Sequence, residues 1–236
     1  MTRRRWIADE CSEDRAALTG AHAAHLARTL RARVGQEFEI ACGDRVRRGV
    51  VASVSDGRVE FALGEEVEAT AVVPITLLLA IFKFDRLEWA IEKCTELNVT
   101  TIIPVIARRT EKHLAAAAAR RVERWRRIAL EAAEQSRRIT PPQIADPLNL
   151  TDALRCDAEL RIVLAENERE ATLSEILRSR SGMTSLALAI GPEGGWTPEE
   201  MRSFEQEQWV SASLGDTILR AETAAIAALA VARAEF

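Results

Sequence analysis

Two segments of the chain hold the residue types from which a reaction site could be assembled. The first, Ile190-Gly191-Pro192-Glu193-Gly194-Gly195-Trp196, follows an apolar run and leads into Thr197-Pro198-Glu199-Glu200. Thr197 reads as an N-cap, Pro198 suits the first helical position, and Glu200 completes a capping box. A strand, a glycine loop and a helix start put bare backbone N–H groups at the carboxyl edge of a sheet, where ligands of open α/β folds bind. Glycine lets a flat ring or a methionine tail lie against the backbone there. A plain strand-to-helix turn uses the same residues, so the loop alone leaves both readings open. No Gly-Lys-Ser/Thr follows, which excludes a phosphate loop.

The second segment is Ser213-Leu214-Gly215-Asp216-Thr217-Ile218-Leu219-Arg220-Ala221-Glu222-Thr223-Ala224. A strand ends at Gly215, a short apolar turn carries Arg220, and an Ala-rich helix starts near Glu222. The helix is apolar on every side from Ala224 to Val231, so it is expected to be buried. Arg220-x-Glu222-Thr223 directly before a buried helix needs partners, because an unpaired buried charge is costly. An Arg220–Glu222 pair that caps the helix is the simpler alternative.

These segments need a frame to hold them. Ile75–Phe82 is a continuous apolar run, as expected for a strand buried on both faces. Leu87, Ile91, Cys94 and Leu97 recur at helical spacing, Thr100–Ile106 reads as a strand, and a long Ala- and Arg-rich helix is predicted from Leu114 to Arg138, closed by Pro141-Pro142. Further strands are predicted at Leu160–Ala165, Ser185–Ile190 and Val210–Leu214, with helices at Leu173–Arg178, Pro198–Gln208 and Glu222–Ala232. Strands alternating with helices imply a mostly parallel α/β sheet over residues 73–236. Residues 1–72 read differently. A helix at His22–Arg33 is followed by short alternating runs, Glu37–Ala41, Arg48–Val54 and Arg58–Leu63, with a hairpin signal at Asp56-Gly57. A small barrel suits that pattern.

With 236 residues, 47% of them hydrophobic and 29% charged, the chain has the composition of an ordinary globular protein. No run approaches the eighteen or so apolar residues of a membrane span, and Met1–Glu10 lacks the apolar core of a secretory signal. A cytoplasmic protein with no membrane contact is the expectation. The net charge of −4 argues against an indiscriminate polyanion binder. Its distribution is uneven, however. Between Arg108 and Arg138 there are ten basic and four acidic side chains, and a second basic cluster comprises Arg3, Arg4, Arg5, Arg28, Arg31 and Arg33. Arginine forks onto phosphate and stacks on bases, so both clusters could grip RNA. They could equally be solvated helix faces in an Arg-rich sequence.

Cys11, Cys42, Cys94 and Cys156 are scattered, with no CxxC pair, so four reduced and buried thiols are expected in place of a disulfide framework or a zinc site. His22 and His25 stand one helical turn apart without a third ligand, and no metal is expected. The chain has no Tyr and only 5% aromatic residues, which argues against a base-stacking sheet.

The glycine loop, followed some twenty residues later by Leu214-Gly215-x-x-Ile218-Leu219-Arg220-x-Glu222-Thr223-Ala224, resembles the RsmE family of SPOUT methyltransferases. Further matches are Lys83-x-x-Arg86-x-Glu88, Lys93-Cys94-Thr95-Glu96-Leu97-x-Val99, Arg108-Arg109-Thr110, Trp125-Arg126-Arg127-Ile128-Ala129 and Glu131-Ala132-Ala133-Glu134-Gln135-Ser136-x-Arg138. His25-x-x-x-x-Leu30-Arg31 and Val34-Gly35 also fit, so the likeness runs through nearly the whole chain in order. Asn98, Arg137 and Thr217 replace a usual Gly, Gly and Arg. The resemblance implies a PUA-like β-barrel RNA-binding domain over 1–72 and a trefoil-knotted, parallel-sheet methyltransferase domain over 73–236, in a homodimer.

It also implies S-adenosyl-L-methionine as cofactor and N3 of a uridine in 16S rRNA, within the 30S subunit, as substrate. Methylation of another base or a ribose, and a non-catalytic rRNA-binding assembly factor, are the alternatives. Carried over residue by residue, the cofactor pocket comprises Leu164, Ala165 and Glu166, then Gly191, Pro192, Glu193, Gly194 and Gly195, then Leu214, Gly215, Ile218, Leu219, Arg220, Glu222 and Thr223. Arg220 and Arg138 are the candidates to stabilise charge on the target base, and Glu134 or Glu193 is the candidate base, with water as an alternative. RNA contacts are assigned to Arg3, Arg4, Arg5, His25, Arg28, Arg31, Arg109, Arg124 and Arg127.

Overall fold

The computed structural model describes residues 5–43, 45–55, 57–67, 73–136, 138, 140–180 and 182–236. The chain forms two compact units, Met1–Ala71 with Arg137–Thr140, and Val72–Ser136 with Pro141–Phe236.

In the first unit six strands, β1 (Arg5–Ile7), β2 (Glu10–Cys11), β3 (Arg15–Thr19), β4 (Glu37–Cys42), β5 (Arg45–Ser55) and β6 (Arg58–Glu66), form one sheet in the order β1-β4-β5-β6-β3-β2. Only β1 runs parallel to its neighbour. Trp6, Leu18, Leu26, Phe38, Ile40, Val51, Val59 and Phe61 make its core. The three strands before residue 20 have no counterpart in the sequence reading. Arg15-Ala16-Ala17-Leu18-Thr19 has weak strand propensity, and its form comes from pairing with β6 and from burial of Ala16, Ala17 and Leu18. The expected helix at His22–Arg33 is two short pieces, α1 (Gly20–Ala24) and a π-helical turn (His25–Thr29), ended by Arg31 at φ 51°. Gly49 is required where it stands, since a Cβ would lie 2.3 Å from the Ile40 side chain.

The cysteines correct an expectation. Cys11 and Cys42 form a disulfide, with Cα atoms 5.9 Å apart. The Ala8 N–H donates to the Ala41 carbonyl, so β4 and the chain just before β2 run side by side at this point. Cys94 and Cys156 are free. Burial pushes the Cys94 thiol up to about 12 and the Cys156 thiol up to about 11.

The second unit is built on a parallel sheet. Its strands are β7 (Ile75–Ala80), β8 (Thr101–Ile106), β9 (Gln143–Ile144), β10 (Leu148–Asn149), β11 (Leu160–Leu164), β12 (Leu186–Ile190) and β13 (Val210–Ala212). Their order is β10-β8-β7-β12-β11-β13, with β9 also on β8. Alternate residues of the central strands face two separate cores. Leu77, Leu79, Ile162, Leu188 and Ile190 pack with α2 (Phe84–Glu96), α4 (Val122–Gln135), α6 (Leu173–Arg178) and α8 (Ala221–Ala234). Leu78, Ala80, Val163, Ala187 and Ala189 pack with α5 (Leu150–Ala153) and α7 (Pro198–Gln206). Burial on both faces explains the continuous apolar runs.

The expected Leu114–Arg138 helix is divided into α3 (Lys112–Ala118) and α4 by a 3-10 turn at Ala119–Arg121. It stops at Gln135, where the Ser136 hydroxyl donates to the Ala132 carbonyl at 2.7 Å. Asn98 follows α2 in the left-handed region, φ 63°, a position that Asn tolerates next best to Gly. No helix among the described residues is long and apolar enough to cross a membrane.

Candidate active site

Strands β12, β11 and β13 are neighbours and parallel, so the loops that leave their carboxyl ends emerge on one edge. Those loops enclose a cleft of about 720 Å³. Of the cofactor candidates, Leu164, Ala165, Glu166, Gly191, Pro192, Glu193, Gly194, Gly195, Leu214, Gly215, Ile218, Leu219 and Arg220 line it. Glu222 and Thr223 do not. Glu222 is buried in the first turn of α8, and Thr223 is exposed on the same helix.

The glycine loop owes its shape to what leans on it. The Gly195 N–H closes a turn onto the Pro192 carbonyl at 2.7 Å, with Gly195 at φ 70°. A Cβ at Gly191 would meet the Trp196 indole at 3.2 Å, and one at Gly194 would meet Arg109 Cδ at 3.2 Å. Arg109 donates from Nη1 to the Gly194 carbonyl. Beyond the loop, Thr197 and Glu200 form the expected capping box of α7. Buried Glu200 also accepts the Arg108 N–H at 2.8 Å, which ties the start of α7 to the exit of β8.

The other two loops are braced as well. Glu168 accepts the N–H groups of Arg169 and Glu170 at 2.9 and 2.8 Å. The Glu170 N–H above all, helped by the Ser211 hydroxyl, holds the Glu168 carboxyl below the usual range against an opposing effect of burial. Ser213 donates its N–H to the Ala171 carbonyl and accepts the Leu173 N–H, each at 2.9 Å. Arg86, from the first turn of α2, reaches the cleft with Nη1 3.2 Å from Glu193 Oε1 and 3.7 Å from Glu222 Oε1.

Arg86 stands in the Lys83-x-x-Arg86-x-Glu88 motif, to which the sequence alone assigns no role. Sequence reasoning also missed Asn167, Arg169, Met201, Arg202 and Glu205 along the wall, because their place depends on the loop and helix packing and no spacing marks them.

Of the catalytic candidates in the second unit, Arg220 is at the cleft and Glu134 is not. Arg220 lines the cleft, with an exposed guanidinium at the N-cap of α8. Glu134 is exposed on α4 and is not part of the cleft, and Arg138 belongs to the first unit. Among the RNA candidates, Arg3 and Arg4 lie outside the described residues. Arg5 pairs with Glu39 at 3.1 Å, and the His25 ring lies 5.9 Å from that of Trp6. Arg28 and Arg31 are exposed near the π-helical turn. Arg109 is committed to the glycine loop. Arg124 pairs with Glu88 at 2.8 Å and Arg127 lies 3.8 Å from Glu131. Arg121 also reaches Glu88, and Arg126 reaches Glu123 and Asp146, so much of the positive charge of this helix is answered within the chain. Among the described residues no three His, Cys, Asp or Glu side chains gather as a metal site.

Comparison with known proteins bears on the same loops. The RNA methyltransferase domain model matches residues 69–233, which includes all three. The ribosomal RNA small subunit methyltransferase E of Bacillus subtilis is 32% identical over 222 residues, covering 90% of this chain and 87% of that one. The chain belongs to the ribosomal RNA small subunit methyltransferase E family. Another family relative, from Rickettsia conorii, is 38% identical over 162 residues, with 67% of this chain aligned; the match spans 64% of the relative's length. The solved methyltransferase E of Neisseria gonorrhoeae bound to S-adenosyl methionine is 28% identical, with a TM-score of 0.70 over 97% of this chain and 95% of that one. In this chain of the family the glycine loop, the Leu164–Glu166 exit and the Leu214–Arg220 turn are parts of a single edge of the sheet.

Proposed function

We propose that the chain transfers the methyl group of S-adenosylmethionine to N3 of a uridine in small-subunit ribosomal RNA. The observation that carries this reading is the cleft of about 720 Å³ on the carboxyl edge of β11, β12 and β13, in a chain of the methyltransferase E family. The residues present fit that cofactor. Leu164, Ala165, Pro192, Leu214 and Leu219 offer an apolar wall for a purine, and Glu166 and Asp216 offer carboxylates for hydroxyl or ammonium groups. A Cβ at Gly215 (φ 115°) would meet open space, so a ligand can lie along the backbone there.

When bound, the cofactor supplies a sulfonium methyl that is already electrophilic. The protein's tasks are alignment, charge stabilisation and removal of one proton. Holding N3 in line with the methyl supplies much of the barrier reduction. As the N3 proton leaves, negative charge spreads onto O2 and O4. The Arg220 guanidinium, which has no ion-pair partner among the described residues, is the donor suited to that charge. Glu134 stands apart from the cleft, and Glu193, which lines it, is tied to Arg86 at 3.2 Å, so in this reading the proton passes to water at the cleft's open mouth. The target base has to be unpaired or swung out to enter.

The first unit fits a PUA-like barrel, residues 1–72, that grips RNA. Its sheet begins with β1 and ends with β2, strands separated in the chain by Ala8 and Asp9 alone, so the sheet has to curl back on itself. The second unit, residues 73–236, fits a knotted SPOUT domain. After edge strand β13 the chain is bonded to Ala171 and Leu173 before α8 packs against α2. A cytoplasmic homodimer completes the reading; the half-covered Ile226 and Ala227 and exposed Ala230 make the outer side of α8 small and apolar.

The test is incubation of the purified protein with S-adenosylmethionine and either 16S rRNA or 30S subunits, followed by mass spectrometry of the nucleosides. 3-Methyluridine at one position is expected. A methylated ribose or another methylated base would overturn the N3 assignment, and no methyl incorporation into either substrate would overturn the enzyme.

A further inference from the structure

We infer that Arg86 is a positioning residue of the cleft, whose guanidinium, held between Glu193 and Glu222, sets the gap between the two loops that clasp the methyl donor. The inference rests on the reading of the cleft as the S-adenosylmethionine site. Arg86 lies 107 residues from Glu193 in sequence, and Nη1 approaches Glu193 Oε1 to 3.2 Å and Glu222 Oε1 to 3.7 Å. Glu193 stands in the middle of the glycine loop, and Glu222 opens α8 directly after the Leu214–Arg220 turn. One guanidinium therefore stands between the glycine loop and the first turn of the helix that follows the Leu214–Arg220 turn.

Each part of this bridge has a physical reason to be fixed. Glu222 is only 5% exposed, its Oε2 has no hydrogen-bond partner, and Arg86 is its one ion-pair partner among the described residues. A carboxylate so placed needs its cation, because a buried charge left alone is strongly unfavourable. Arg86 is carried in turn by a firm element. Leu87, Ala90 and Ile91 are fully buried in α2, and Arg121 and Arg124 of the neighbouring segment both pair with Glu88. The glycine loop has few side chains of its own to hold it. From one side Arg109 takes the Gly194 carbonyl, and from the other Arg86 takes Glu193. The Arg86–Glu193 limb is exposed and adds little to global stability; the buried Glu222 holds the guanidinium in place, and the exposed limb aligns Glu193 and its loop on it. Its effect should appear in cofactor capture more than in the chemical step.

The experiment is steady-state kinetics at saturating RNA, with thermal melts, on wild type, Arg86→Gln, Glu193→Gln and the double variants Arg86→Gln/Glu193→Gln and Arg86→Gln/Glu222→Gln. For Arg86→Gln, KM for S-adenosylmethionine is expected to rise about tenfold or more with kcat within about threefold, the pattern of lost binding. Adding Glu193→Gln should make KM no worse, since both changes cut the same tie. Adding Glu222→Gln should recover melting temperature by removing the stranded carboxylate, yet leave KM high. An unchanged KM in Arg86→Gln would overturn the inference. So would a fall in kcat alone, which would mean contact with the reacting atoms, or additive KM penalties from Arg86→Gln and Glu193→Gln. If the wild-type protein itself fails to bind the donor, the reading of the cleft falls, a result independent of Arg86.

Discussion

Arg220 and Glu168 show how single side chains at the cleft can be separated by experiment. Arg220→Ala removes the donor proposed to face the target base, and a loss of about 10²-fold in kcat with an unchanged KM for S-adenosylmethionine is expected from rapid-quench assays. Normal turnover with both substrates saturating would end its catalytic role. Glu168 acts through its own loop. Its carboxyl is held below the ordinary 4.5 by the Glu170 N–H and its neighbours, so it stabilises the fold above that value. That contribution is lost as pH falls through the lowered, folded-state value. Thermal unfolding of wild type and Glu168→Gln should therefore differ at pH 7 and converge below about pH 4.5. A constant difference across the titration would contradict it. The glycines, Arg220 and the capping box Thr197/Glu200 were legible in sequence because each is a local pattern. The Arg86 bridge and the Cys11–Cys42 disulfide were not, because they join residues 107 and 31 positions apart.

Most elements from Ile75 onward were readable because a strand buried on both faces writes itself as an unbroken apolar run, and the capped helices announce their starts; the short β9, β10 and α5 and the division of the Leu114–Arg138 helix were not. In residues 5–29 the same rules failed. An Ala-rich segment became β3 through its neighbours, and a helical pattern became α1 and a π-helical turn. Tertiary pairing outweighed local preference there. The ends of α2 and α8 illustrate a contact that spacing never marks. Half-buried Arg233 donates to the carbonyls of Val73 (2.8 Å), Leu97 (3.3 Å) and Asn98, and so closes the end of α2 onto the last helix. Burial holds its guanidinium below the usual range. Arg233→Met should cost about 1.5–3 kcal/mol in chemical denaturation, the scale of losing hydrogen bonds from a charged group. A change within about 0.5 kcal/mol, typical of surface substitutions, would mean that water replaces those bonds without loss.

At the scale of the whole chain, a parallel sheet brings three loop-bearing strand ends to one edge, and the chain adds a separate six-stranded unit. The sheet class followed from strand–helix alternation, whereas the order β10-β8-β7-β12-β11-β13 did not, since parallel pairing between distant strands leaves no trace in periodicity. The charge asymmetry was also only half informative. Of the arginines that looked free for RNA in the sequence, Arg121, Arg124, Arg126 and Arg127 are answered by Glu88, Glu123, Glu131 and Asp146. The central claim is that the edge cleft holds the methyl donor. Isothermal titration of the purified protein with S-adenosylhomocysteine tests it most directly. Saturable binding with a Kd on the order of micromolar, about −8 kcal/mol, is the result expected, and absence of binding at millimolar ligand by a folded protein would contradict the account.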